Sequence, residues 1–149
     1  MLNLDPDSRF MSMALEEARK AAEEGEVPVG AVVTCGNRLI AKAHNQTQRL
    51  NDVTAHAEML AITAAAEALG GKYLNDCTLY VTLEPCIMCA GAIGWSQLGR
   101  LVYGASDDKR GYHLYSESKT PIHPRTKITT GIMGEEASHL MKDFFAIRR

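Results

Sequence analysis

Two short patterns in this 149-residue chain carry side chains suited to metal chemistry. One is His56-Ala57-Glu58; the other is Pro85-Cys86-Ile87-Met88-Cys89. One neutral imidazole and two thiolates form a zinc-type ligand set. Three protein ligands is the informative count. Structural zinc sites close with four, whereas a catalytic ion keeps a position for water. Zn2+ with two thiolates is formally neutral, yet it still lowers the pKa of its water from about 15.7 toward about 7. Glu58, next to such a water, is placed to accept its proton and pass it on. A C-x-x-C pair by itself is also readable as a redox couple. That reading stays open here, although it leaves His56 and Glu58 without a role. Cys35 and Cys77 are isolated and read as small buried hydrophobes.

The elements that must position these residues follow from periodicity and punctuation. A first helix is expected over 7–24, where Phe10, Ala14, Ala18 and Ala21 recur at helical spacing. Asp5, Asp7 or Ser8 can cap it, Pro6 suits its first turn, and Gly25 ends it. Strands are expected over 29–34 and 39–43, joined by Cys35-Gly36-Asn37 as a hairpin. A second helix runs from about 54 to 69 and stops at Gly70-Gly71. A buried strand over 78–83 precedes a third helix, opened by Pro85 and reaching about 97. A strand over 101–103, a mixed region over 105–125, a strand over 127–131 and a closing helix over 135–149 complete the order. Helices alternating with strands after a hairpin predict an α/β fold, with a mostly parallel sheet covered on both faces. His56 then falls in the first turn of the second helix, and Cys86 and Cys89 in the first turn of the third. His56 and Glu58 are two apart, about 200° around a helix axis. They share a site only at the helix tip, where the positive end of the dipole also favours thiolates.

Composition is that of an ordinary globular chain: 46% hydrophobic, 23% charged and 6% aromatic residues. One domain over 1–149 is expected. No apolar run approaches the roughly 20 residues of a membrane helix, and charges within the first nine residues argue against a signal peptide. A cytoplasmic location is therefore expected, with no membrane partner. The formal net charge is −2, which argues against a generic nucleic-acid binder. The mean hides an asymmetry. Residues 1–99 hold 7 Lys/Arg and 12 Asp/Glu, a balance of −5, while residues 100–149 hold 9 and 6, a balance of +3. Lys109, Arg110, Lys119, Arg125 and Lys127 stand against Glu117 alone, with Tyr112, His113, Tyr115 and His123 between them. Basic and aromatic residues together suit phosphates and unpaired bases; a solvated surface segment is the plainer alternative. His113, His123 and His139 lack ligand spacing, and Trp95 reads as core or interface.

The two metal patterns resemble the zinc-dependent cytidine deaminase superfamily, whose H-x-E…P-C-x-x-C signature they match. Within it, the chain is similar to the bacterial tRNA-specific adenosine deaminases. The resemblance runs through Glu26-Val27-Pro28-Val29-Gly30-Ala31, His44-Asn45, Asp52 to Glu58, Leu79 to Ala92, Gly104 to Gly111 and Asp143-Phe144-Phe145. It implies a three-layer α/β/α fold with a central mixed five-stranded sheet. It implies one Zn2+ per subunit on His56, Cys86 and Cys89, Glu58 as proton shuttle, and Asn45 hydrogen-bonding the substrate nucleoside. Asp107 would help to hold the RNA backbone. The implied activity is hydrolytic deamination of adenosine to inosine at the wobble position of a tRNA anticodon, by a homodimer that takes the anticodon stem-loop. Three features depart from that pattern. Tyr112-His113-Leu114-Tyr115-Ser116 replaces a run of small residues, and Ile122-His123-Pro124-Arg125 stands where Asn-His usually precedes a basic residue. Trp95 stands where bacterial guanine deaminases also place a tryptophan. These bear on the substrate and keep a small-molecule guanine- or cytosine-type deaminase as the alternative. A non-catalytic zinc module or a thiol redox protein is a more distant one.

Overall fold

A computed structural model describes residues 5–115 and 119–148. The readings that touch Met1 to Leu4, Ser116, Glu117 and Arg149 lie outside the described residues. Helix α1 (Pro6–Glu23) starts where the sequence predicts: the Asp5 carboxylate accepts the Ser8 N–H at 2.9 Å, with Pro6 in the first turn. Strands β1 (Gly30–Cys35) and β2 (Arg38–His44) form the hairpin. Its turn requires Gly36 at φ +62°. Then follow α2 (Ala57–Leu69), β3 (Cys77–Leu83), α3 (Ile87–Trp95), β4 (Arg100–Ala105), β5 (Lys127–Thr130) and α4 (Gly134–Ile147). Gly70, at φ +72°, caps the end of α2 as expected. The mixed region 105–125 contains one 3-10 turn, Tyr112–Tyr115, among the described residues.

The sheet order is β2-β1-β3-β4-β5. Pairings β1–β2 and β1–β3 are antiparallel, while β3–β4 and β4–β5 are parallel. This corrects the expectation of a mostly parallel sheet. The crossover through α2 does make β3 run the same way as β2, but it skips one position. The hairpin's first strand fills that position and is antiparallel to both neighbours. The result is the mixed five-stranded sheet that the resemblance implies.

Side-chain alternation divides the core in two. Ala31, Val33, Leu79, Val81, Leu101 and Tyr103 point to one face, against Ala57, Ala61 and Ala65 of α2 and Ala90 and Ile93 of α3. Val32, Tyr80 and Val102 point to the other, against Phe10, Met11 and Ala14 of α1. Helix α4 lies on that second side, its Ala137 packed with Leu15 of α1. The contact between α1 and β1 is so close that a Cβ on Gly30 would overlap the Ala14 carbonyl oxygen. Trp95 is 85% exposed, which excludes it from the core of this chain.

Across the α1 side runs one buried-edge ion pair. Arg100 donates two hydrogen bonds of 2.7 Å to the Asp7 carboxylate, and the Tyr80 hydroxyl donates a third at 2.8 Å. The Arg100 hydrogen bonds hold the Asp7 carboxyl below its ordinary value of 3.8. Asp7→Asn is therefore expected to destabilise the fold by about 2 kcal/mol near neutral pH, the scale of hydrogen bonds to a charged group. Because the folded pKa is the lower one, this contribution is present above about pH 4 and is lost as the pH falls through the folded value. Urea denaturation of both proteins should show a stability gap that is flat above about pH 5 and closes in acid.

Candidate metal centre

The loops that follow β2, β3 and β4 all leave the sheet at one end, and the N-termini of α2 and α3 point there. Chain direction makes this end the place where a ligand meets strand carboxyl ends and helix amino ends together. His56 is the N-cap of α2 and Cys86 the N-cap of α3, because these helices begin three and two residues later than the sequence-based starts at 54 and 85. Pro85 lies outside α3 rather than opening it. Neither capping side chain bonds a helix N–H, so both are free to face away from the helix end. Cys89 sits one turn into α3 and is fully buried.

The His56 Nδ1 lies 3.6 Å from the Cys86 Sγ and 3.5 Å from the Cys89 Sγ. All three donor atoms lie within 4.8 Å of one another. A tetrahedral zinc, with Zn–N near 2.05 Å and Zn–S near 2.3 Å, holds nitrogen and sulfur about 3.6 Å apart. The spacing and the chemistry of the donors therefore both fit zinc. The proton balance of the cluster points the same way. The Cys86 thiol is pulled down to about 4, first by the hydrogen bond it receives from Cys89 and then by His56. The Cys89 thiol is pushed up, since it is the donor to Cys86 and is buried as well. His56 is raised by its hydrogen bond to Cys86. A divalent cation binds thiolate and neutral imidazole, so it would displace the protons that the metal-free cluster shares.

Glu58 is 4% exposed, in the first turn of α2. Burial pushes its carboxyl up to about 7. The structure thus brings together the four residues singled out from the sequence. His56, Glu58 and Cys86 line a cavity of about 1170 Å3, which also takes in Asn45 and Asp107. Asn45, the residue after β2, is buried. Its Nδ2 donates to the Val27 carbonyl at 3.4 Å, while its Oδ1 has no hydrogen-bond partner among the described residues. Asp107 is differently occupied: its Oδ1 accepts the Lys109 and Arg110 N–H groups, both at 3.0 Å, and so shapes the turn from which those cations extend.

Two buried carboxylates that hold the loops around this cavity were not singled out by sequence reasoning. Glu26, 1% exposed, accepts the Gln48 and Arg49 N–H groups at 3.0 and 2.8 Å and holds the loop after Asn45. Glu84 accepts the Asp107 N–H at 3.0 Å, the His113 N–H at 3.0 Å and the His113 ring N–H at 2.7 Å. An acid directly after the apolar strand run and directly before Pro85 was the available signal for Glu84. Glu26 gave none apart from its place in the family motif. His44 also proves to be bonded, lying 3.2 Å from Glu17 and 3.1 Å from Glu24.

The redox reading has the two cysteines it needs at this site, but the imidazole between them and the carboxyl beside them match the deaminase signature. The family model of the cytidine and deoxycytidylate deaminase zinc-binding region matches residues 4–105. A tRNA-specific adenosine deaminase of Agrobacterium fabrum is 44% identical over 145 residues, 95% of each chain. One from Aquifex aeolicus is 45% identical over 141 residues, 91% of each. A solved structure from a study of A-to-I editing by tRNA:A34 deaminases at the wobble position of transfer RNA superposes with a TM-score of 0.82. It is 44% identical and covers 89% of this chain and 99% of that one. A guanine deaminase from Nitrosomonas europaea gives a TM-score of 0.80 at 26% identity, covering 98% of this chain and 87% of that one. The matched stretch contains His56, Glu58, Cys86 and Cys89, so shared sequence, shared fold and a zinc-shaped donor triangle coincide, and the chain belongs to the cytidine and deoxycytidylate deaminase zinc-binding family.

Proposed function

We propose that this chain is a zinc-dependent hydrolase that deaminates adenosine to inosine at the wobble position of a tRNA anticodon. The observation that carries the reading is the His56–Cys86–Cys89 triangle with Glu58 beside it, in a chain 44% identical to a tRNA-specific adenosine deaminase over 95% of its length. His56 would hold the zinc through Nδ1, and Cys86 and Cys89 through their sulfurs. The bound ion supplies a water that loses its proton near neutral pH. Glu58 takes that proton and delivers it to the ring nitrogen beside the reacting carbon, then takes the second proton from the added hydroxyl and gives it to the departing amine, so that water and adenosine become inosine and ammonia. Its burial keeps bulk solvent away from the proton it carries. The unpartnered Oδ1 of Asn45 accepts a donor from the nucleoside. Asp107 serves the RNA backbone through the turn it holds, with Lys109 and Arg110 facing phosphate. A flipped base drawn from an already unpaired loop is the least costly to extrude.

The reading extends to one domain over the whole chain and one zinc per subunit of a cytoplasmic homodimer. No helix among the described residues is long and apolar enough to cross a membrane. Ile87 and Trp95, two turns apart on α3 and both exposed, supply an apolar face that a second copy would cover. A second reading, deamination of free guanine, is favoured by the structural likeness to the Nitrosomonas enzyme. Metal-loaded protein given an anticodon stem-loop with a wobble adenosine should yield inosine. Turnover of free guanine without any of the stem-loop would replace the first reading with the second.

The ligand and proton-transfer roles have separate signatures. Glu58→Gln should retain one equivalent of zinc by metal analysis and lower kcat by at least about a hundredfold, the lower end of general acid–base catalysis. Full activity in that variant would remove Glu58 from the chemistry. Cys86→Ala should lose the metal outright, and its melting temperature should no longer respond to added zinc, because the ligand set contributes folding energy.

A further inference from the structure

Resting on the deaminase reading of this cavity, we propose that Tyr115 stacks its ring on an unpaired nucleobase held there, and that His113 is the positioning residue that fixes Tyr115 in place. Tyr115 lines the same cavity as His56 and Glu58. It is 60% exposed, so its ring is available to a ligand rather than used in packing. An aromatic face suits any base, since every base has a π-face of its own.

The turn that carries Tyr115 is pinned from one side to the segment holding Cys86. The Tyr112 N–H donates to the Pro85 carbonyl at 2.9 Å, and Gly111 bridges to Cys86. The Tyr112 ring is buried edge-on to Tyr103, with centroids 6.4 Å apart. Glu84 completes the anchor. Its side chain is 0% exposed, yet it forms no ion pair with a Lys or Arg among the described residues; its acceptors are filled by the Asp107 N–H, the His113 N–H and the His113 ring. A Cβ on Gly111 would overlap that carboxyl group, so the turn lies directly on it. The His113 side chain is itself 45% exposed, with Asp108 4.0 Å from its outer nitrogen. Packing therefore does not explain its place, whereas the buried carboxylate does: a charge taken out of water needs its donors. A ring held in position before the base arrives loses less freedom on binding.

The test uses the metal-loaded protein with two substrates, the anticodon stem-loop and free guanine. It adds stem-loop binding by fluorescence anisotropy as a readout independent of turnover. Tyr115→Ala should raise KM and the dissociation constant about tenfold, with kcat within about twofold, while Tyr115→Phe stays near wild type. His113→Ala should match the KM of Tyr115→Ala and speed amide exchange over residues 107–115. His113→Asn, whose amide can donate from the place of Nδ1, should restore both. The double variant should be no worse than either single one, because one residue acts through the other. A KM effect of Tyr115→Ala on guanine alone would support the stacking role and overturn the tRNA assignment. Unchanged KM and binding for both substrates, or a loss confined to kcat, would overturn the stacking role while leaving the deaminase reading intact. Turnover of neither substrate by the wild type would overturn both.

Discussion

The structure depends on two helix tips meeting at one end of a sheet. Helices α2 and α3 lie side by side on the same face, and both present their N-termini to the carboxyl ends of β2 and β3. Two oriented sets of free N–H groups place positive potential there, and three soft donors fill it. Small side chains make the approach possible. Ala57, Ala61 and Ala65 of α2 and Ala90 of α3 are fully buried, so the helix axes sit close to the strands and the capping residues come within reach of each other. A larger residue at any of these places would push one tip away from the other, and a spacing of 3.5 to 3.6 Å leaves little room for that.

Around this centre the loops are shaped less by apolar packing than by buried carboxylates. Glu26 organises the loop after Asn45, and Glu84 organises the one after β4. Each satisfies its charge with backbone N–H groups, so each fixes several peptide units with a single side chain. The arrangement costs desolvation and is stable only while every donor stays in place. Both loops wall the cavity, so a stable buried charge gives the cavity a defined wall. The Asp7–Arg100–Tyr80 cluster ties α1 to β3 and β4 on the opposite face, far from the chemistry.

The chemistry was legible because it is local. His56-Ala57-Glu58 and Cys86-x-x-Cys89 name their own elements, since caps and first turns are set by a few neighbouring residues. The same holds for Asp5 and Pro6 at the start of α1, and for Gly36 and Gly70, where only the backbone conformation matters. The sequence-based starts of α2 and α3 fall three and two residues early because capping residues sit just outside the helix they cap. The pairing pattern was misjudged for another reason: chain order specifies which strands run together, but not which strand is inserted between them.

The composition of the site, one imidazole and two thiols with a carboxyl beside them, was thus written in the residue types and their spacing. Only the folded chain decided that β1 inserts between β2 and β3, that Trp95 faces solvent, and that Glu84 meets His113 across 29 positions. Those are long-range pairings, settled by which faces must be buried and which charges must find donors. No local pattern encodes them, because the partners become neighbours only once the core has formed.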